Sequence, residues 1–177
     1  MTITYHAGNR IQGLSTLTAS SLNTSGGRSY TATSPATISL TVAANNNRIL
    51  VVWVQGITSD PTSVTWQGSN LTKYGSLVNL GSYSLWYLLN PATGTSTVSI
   101  SFSGGSAITA TADVFYNVNQ TNPFGTLQTN TATGVTSLSL SVTTTQQNSL
   151  VISSGFGYGG GGLTTTASTG VTAITNS

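Results

Sequence analysis

The sequence predicts an all-β fold: an antiparallel β-sandwich, jelly-roll-like, with an extended N-terminal arm. Three observations carry this reading. β-branched and aromatic residues dominate, and nothing apolar recurs at helical spacing over ten residues. Short alternating runs are separated by Gly, Pro, Asn and Ser. Turn signals arrive about every eight to twelve residues, as in sandwiches and jelly rolls rather than parallel α/β folds.

Taken in order, strands are expected near 2–6, 37–43, 48–57, 62–66, 71–79, 82–89, 95–103, 107–118, 137–143, 149–157 and 163–175. Residues 1–36 are assigned to an N-terminal arm and long connection, because 8–36 are polar and poorly patterned. Residues 37–177 are assigned to one sandwich domain. The run Ile49-Leu-Val-Val-Trp-Val is of strand length, far short of the roughly 20 apolar residues of a membrane span. In 95–103, Val98, Ile100 and Phe102 alternate with Thr97, Ser99, Ser101 and Ser103. In 138–142, Leu138, Leu140 and Val142 alternate with Ser139 and Ser141. Each pattern puts apolar groups on one face and hydroxyls on the other. Pro35, Pro61, Pro91 and Pro123 all fall in turn contexts. Gly155-Phe-Gly-Tyr-Gly-Gly-Gly-Gly reads as a flexible loop or tight corner, since no Lys, Ser or Thr stands in phosphate-loop register.

Composition narrows function by exclusion. Only 3% of the 177 residues are charged, against about 25% in an ordinary domain. Serine (26) and threonine (33) fill one third of the chain, and cysteine and glutamate are absent. Hydrophobic residues make 37%, enough for a core and contrary to disorder. Arg10, Arg28, Arg48 and Lys73 are scattered, which excludes the clustered phosphate contacts of a nucleic-acid surface. The N-terminus lacks a basic region followed by an apolar stretch, so no signal peptide is read. Without cysteine there is no disulfide framework and no thiolate metal site.

The middle of the chain carries three phrases in a recognisable order: Val64-Thr-Trp-Gln-Gly-Ser-Asn-Leu-Thr, Ser84-Leu-Trp-Tyr-Leu-Leu-Asn-Pro-Ala-Thr-Gly-Thr and Asp113-Val-Phe-Tyr-Asn-Val-Asn-Gln-Thr-Asn-Pro-Phe-Gly-Thr. Over about residues 37–160 this resembles a broad family of uncharacterised jelly-roll-like β-sandwich domains in bacterial, archaeal and viral surface proteins. The opening Tyr5-His-Ala-Gly-Asn-Arg-Ile-Gln-Gly-Leu-Ser-Thr resembles a leader of archaeal and virus-like surface proteins. The resemblance implies a fold and no activity. Family members continue past the glycine-rich loop to a tryptophan-bearing closing strand. This sequence has none, which implies an open edge able to accept a strand from another subunit.

Enzyme chemistry has little to work with. His6 is the only histidine, in the expected arm, where a solvated side chain is the simpler reading than a triad base. Asp60 precedes Pro61 in a turn its carboxylate can cap, and Asp113 follows Thr109 and Thr111 on a hydroxyl face. No catalytic residue, metal site or cofactor is expected. Calcium with Asp60 or Asp113 is the nearest alternative.

Two functional classes remain. The first is a structural subunit of an extracellular assembly. Residues 114–177 carry no charge and no histidine, and charge is the usual guard of sheet edges. A virion component (capsid, tail or fibre) is preferred over a secreted filament, because no signal peptide is read. The assembly arm is expected to use Thr2, Ile3, Tyr5 and Ile11, and the partner is another copy of the chain. The second class is a carbohydrate-binding or adhesion module. Its patch is Trp66, Tyr74 and Tyr83, beside Gln67, Ser69 and Asn70. The competing reading makes Trp66 and Tyr74 scaffold residues of one hairpin, with Trp53 and Trp86 in the core. Asn23, Asn70 and Asn119 head Asn-x-Ser/Thr acceptor sequons, at a frequency that chance alone supplies in so Ser/Thr-rich a chain.

Overall fold

A computed structural model of the chain describes residues 2–11, 21–56, 60–78, 82–103, 107–144 and 148–158. Among these, the strands are β1 (Thr2–Ile11), β2 (Ser21–Thr31), β3 (Ala36–Val42), β4 (Ile49–Gly56), β5 (Pro61–Trp66), β6 (Ser69–Asn70), β7 (Thr72–Val78), β8 (Ser82–Leu89), β9 (Gly94–Phe102), β10 (Ile108–Tyr116), β11 (Asn130–Thr133) and β12 (Leu150–Tyr158). No described residue is helical. The protein is an all-β antiparallel sandwich.

A five-stranded sheet runs β2-β10-β4-β8-β7, and a four-stranded sheet runs β3-β9-β5-β6. The pairing is nested: β5 with β6, β4 with β8, β3 with β9 and β2 with β10, all antiparallel. A third sheet, β11-β1-β12, is also antiparallel.

Alternation places the main core between the two larger sheets. Strand β3 buries Ala36, Ile38, Leu40 and Val42 and exposes Thr37, Ser39 and Thr41. Strand β9 buries Val98, Ile100 and Phe102, as its period of two demands. They meet Leu50, Val52 and Val54 of β4 and Ile108, Ala110, Ala112 and Val114 of β10. The outer face of the four-stranded sheet is a field of hydroxyls. Thr37 stands opposite Ser99, Ser39 opposite Thr97, and Thr41 opposite Thr95, where the two Oγ1 atoms hydrogen-bond at 2.9 Å.

Strand β4 departs from the one-sided rule. Ile49, Leu50, Val51 and Val52 are all fully buried. Leu50, Val52 and Val54 face the sandwich interior, while Ile49, Val51 and Trp53 belong to a second core on the opposite face of the sheet. In that second core Leu85 and Phe115 join them from neighbouring strands. Val118 and Phe124 cover this face from the segment after β10, and Leu150 and Ile152 of β12 pack against it. The uninterrupted apolar run 49–54 is therefore the sequence of a strand covered on both sides.

Three expectations need correction. Residues 21–31, read as connection, form an edge strand on β10. Its pattern is weak because two irregularities, one at Asn23 and one at Gly26-Gly27, break the register. Residues 137–143 form no strand. Leu138, Leu140 and Val142 are half-buried and Ser139 and Ser141 exposed, so the alternation is real. Yet alternation specifies faces and not a ladder partner, and the short strand lies at Asn130–Thr133 instead. Of the glycine-rich segment, 155–158 belong to β12, while 159–162 and the expected strand 163–175 lie outside the described residues.

Candidate functional site

The aromatic residues expected to form a glycan patch do not share a surface. Trp66 ends β5 and is 0% exposed, with its indole Nε1 donating to the Ala92 carbonyl at 2.9 Å. Tyr83 lies on β8 in the other sheet and is 1% exposed. Both are scaffold residues, and neither presents a ring to solvent. Gln67 (φ 46°) and Gly68 (φ 81°) form a two-residue turn that pairs Trp66 with Ser69, a type I′ arrangement, while the strand period puts Trp66 on the inward face of β5 with Val64. Trp53 and Trp86 are buried as expected, and Trp86 Nε1 donates to Ser84 Oγ, which explains a buried serine on β8.

Tyr74 is different. It sits where β7 breaks register between Lys73 and Gly75, and its ring packs against Tyr87 and Phe124 with centroids at 6.4 and 4.5 Å. Its hydroxyl donates to the Gly125 carbonyl at 2.6 Å. Burial, and secondarily the neighbouring Tyr87, raise its pKa above the ordinary 10.0. The folded state thus holds this proton more tightly than the unfolded chain. Stability from Tyr74 is intact below pH 10 and is lost as pH rises beyond it. The stability advantage of the wild type over Tyr74→Phe is expected to shrink above pH 10 in urea melts. A constant difference through that range would contradict the assignment.

Beside Tyr74 lies an open cleft of about 820 Å³. One wall is the segment 122–128 and the other is 141–143. Asn122, Thr126, Gln128, Ser141 and Thr143 are exposed around half-buried Leu127 and Val142, and no lining residue is charged. The wall 122–128 is held by an amide-rich hub. Gln120 Nε2 donates to the carbonyls of Arg48 and Val118 at 3.2 and 3.0 Å. Asn119 Oδ1 accepts from the backbone N–H groups of Thr121 and Asn122. The Val118 and Asn117 N–H groups donate to Asn47 and Asn46 carbonyls. Asn47, Asn90 and Asn117 all take left-handed backbone, which asparagine tolerates better than most residues. The Arg48 guanidinium donates to the carbonyls of Asn45 and Pro91. The phrase Asn117-Val-Asn-Gln-Thr-Asn-Pro-Phe-Gly therefore acts as a structural clamp that holds Phe124 over the outer face of β4.

Two further charged groups occupy each other. Lys73 and Asp60 form an ion pair with side chains 35% and 24% exposed, a contact that contributes about 0–1 kcal/mol. Asp113 stands opposite Val51 on the outer face of the five-stranded sheet with Thr109 and Thr111. Of the sequon residues, Asn70 is exposed on β6, Asn119 spends its side-chain oxygen on the turn, and Asn23 occupies the irregularity in β2.

The expected assembly residues lie on β1, between β11 and β12. Thr2 stands opposite Thr133 and Tyr158, Ile3 opposite Ala132 and Gly157, Tyr5 opposite Asn130 and Gly155, and Ile11 opposite Leu150. Sequence reasoning missed the cleft and the role of Phe124. A usable signal was present: an antiparallel strand apolar at six successive positions needs a cover on its second face. Comparison with family models, curated proteins and solved structures finds no match to this chain.

Proposed function

We propose that the chain is a non-enzymatic structural subunit of an extracellular assembly, a virion component (capsid, tail or fibre) ahead of a secreted filament. We read the nested strand pairing as jelly-roll-like, in keeping with the resemblance to surface-protein domains. Assembly uses sheet edges and the N-terminal arm of residues 1–12, and the partner is another copy of the chain.

The observation that carries this reading is the chemistry of the sheet edges. Strands β3, β11 and β12 end their sheets without one charged residue or proline. Edges of that kind invite pairing with another chain, and monomeric proteins commonly block them with lysine, proline or bulges. The exposed hydroxyl face of β3 and β9 adds a neutral surface that hydrogen-bonds without the desolvation penalty of ions.

Such contacts owe little to charge, so particles or filaments are expected to persist in 1 M salt, where ionic contacts are screened within about 3 Å. Deleting residues 2–12 is expected to leave a folded protein by circular dichroism that no longer assembles by negative-stain microscopy. Normal assembly of that variant removes the arm from the proposal. A stable monomer at every concentration of the wild type removes the assembly itself.

A second reading, a carbohydrate-binding or adhesion module, is favoured by the uncharged cleft with its amides, hydroxyls and flanking Tyr74. Its test uses Asn122→Ala and Gln128→Ala, since both side chains are exposed and their loss leaves the core intact. A specific glycan-array hit abolished by these variants supports it, and no hit from a polymerising protein rejects it.

A further inference from the structure

We infer that the free edge of β3 pairs, about a two-fold axis at Ser39, with the β3 edge of a second copy of this chain, joining two four-stranded sheets into one continuous sheet. The inference rests on the assembly reading and names one edge, its partner and its symmetry.

The direction of the backbone groups comes first. Strand β3 ends the four-stranded sheet, and among the described residues only β9 pairs with it. The Phe102 N–H of β9 donates to Ser34 Oγ, so it points to the β3 side. The Ser101 carbonyl accepts from Thr62 Oγ1, so it points to the β5 side. Successive residues of a strand direct their backbone groups to opposite edges. Ile100 and Val98 therefore turn toward β3, where Ala36 and Ile38 stand opposite them and close the ladder. By the same alternation, the N–H and C=O groups of Thr37, Ser39 and Thr41 point away from β9, along the free edge. These are also the exposed residues of the strand, while Ala36, Ile38, Leu40 and Val42 are buried.

The edge is its own complement. Strand β3 reads Ala-Thr-Ile-Ser-Leu-Thr-Val, a pattern that is the same in both directions about Ser39. Antiparallel pairing about that axis sets Ser39 opposite Ser39 of the second copy, Thr37 opposite Thr41, Ile38 opposite Leu40 and Ala36 opposite Val42. Every outward N–H and C=O of the three exposed residues then meets a mate, because outward pairs in an antiparallel ladder exchange both bonds. Any other register that brings outward groups together leaves one of the three without a partner inside β3. Hydroxyls fall opposite hydroxyls, as Thr41 and Thr95 already do at 2.9 Å on this face. This reversible pattern selects a second copy as the occupant, since a two-fold contact uses the same patch on both subunits.

Neighbouring edges lack these features. Strand β6 has two residues, β7 carries Lys73 and a break in register, and β2 is broken twice. The β3–β9 ladder runs from Ala36 to Val42 without a break, so nothing bends this edge away from a partner. A two-fold contact closes as a dimer, which is the unit that other edges link into a larger assembly.

Cysteine is absent, so a single introduced thiol can bridge only between molecules. In the proposed pair, residue 39 faces its own mate with Cα atoms about 5.5 Å apart, a separation that a disulfide spans. Concentrated Ser39→Cys protein under mild oxidation is expected to give a disulfide-linked dimer, mapped to residue 39 by mass spectrometry. Position 37 is also exposed but lies across from position 41 of the second copy. Thr37→Cys alone is therefore expected to stay unbridged, and to bridge when mixed with Thr41→Cys. Ser39→Lys sets like charges together at the axis. It is expected to weaken self-association in sedimentation by more than about tenfold, with unchanged far-UV circular dichroism. Equal bridging of Ser39→Cys and Thr37→Cys overturns the two-fold pairing. So does normal assembly of Ser39→Lys by microscopy, which leaves the assembly reading standing. A wild type that does not self-associate at any concentration overturns both.

Discussion

Replacing Trp66 by alanine is expected to destabilise the protein by about 3–5 kcal/mol, the range for deleting a buried aromatic side chain. Trp66 is among the largest fully buried side chains of the molecule and sits in the core with Val64, Leu71 and Val98. Alanine would leave a cavity at the end of β5 and remove the donor to the Ala92 carbonyl. It would also loosen the start of the β5–β6 turn, which is held by Gln67 and Gly68 in left-handed conformation. Because single domains are stable by only about 5–15 kcal/mol, much of the folded population is at stake. Trp66→Phe separates the two contributions. It keeps most of the bulk and loses the hydrogen bond, for an expected loss nearer 1 kcal/mol from that bond alone. Urea denaturation measures both. If Trp66→Ala costs less than about 1 kcal/mol, the side chain is not packed in the core as a fully buried tryptophan must be. The same variant tells nothing about sugar binding, since a lost ligand would follow from a lost fold.

The second large effect comes from two neighbours. Ile49→Ala and Leu50→Ala are each expected to cost about 2–5 kcal/mol. Both side chains are fully buried, but they lie in different cores: Leu50 between the two larger sheets, Ile49 beside Phe115 and in the far-side core with Val118 and Phe124. A strand buried on one face gives a large effect and then a small one. Strand β3 supplies that control, since Ile38 is buried and Ser39 exposed. Ser39→Ala should fall within about 0.5 kcal/mol of wild type, as exposed substitutions do. Comparable losses at 49 and 50, beside the unequal pair at 38 and 39, establish that the outer face of β4 is covered in solution. A near-neutral Ile49→Ala means that segment 118–128 and β12 do not seat on the sheet.

These two cases show where the residues were informative and where they were not. Segment 95–103 could be read directly, because a period of two with hydroxyls on the odd face has one interpretation, and the strand lies at Gly94–Phe102. The run 49–54 announced burial but not its geometry; the second cover comes from residues more than sixty positions away. Segment 137–143 carried the right alternation and formed no strand, because a strand also requires a partner edge. The converse holds for 21–31, where partner edge β10 organises a segment with hardly any pattern of its own.

The candidate site divides in the same way. Trp66, Tyr74 and Tyr83 are close in sequence, and proximity along a chain says nothing about which sheet or face each side chain joins. The strand period of β5 puts Trp66 on the inward face with Val64, and the irregularity before Gly75 left Tyr74 at the rim of the cleft.

By itself the sequence determined the all-β class, most strand positions, the alternating faces and the scarcity of charge. Those properties are local, set by backbone preference, period and composition. Only the tertiary structure decided the nested pairing, the two-sided burial of β4, the clamp that holds Phe124 and the place of β1 between β11 and β12. Each of these depends on which distant edge or face a segment meets, and that choice is made by packing and ladder formation between residues far apart in the chain.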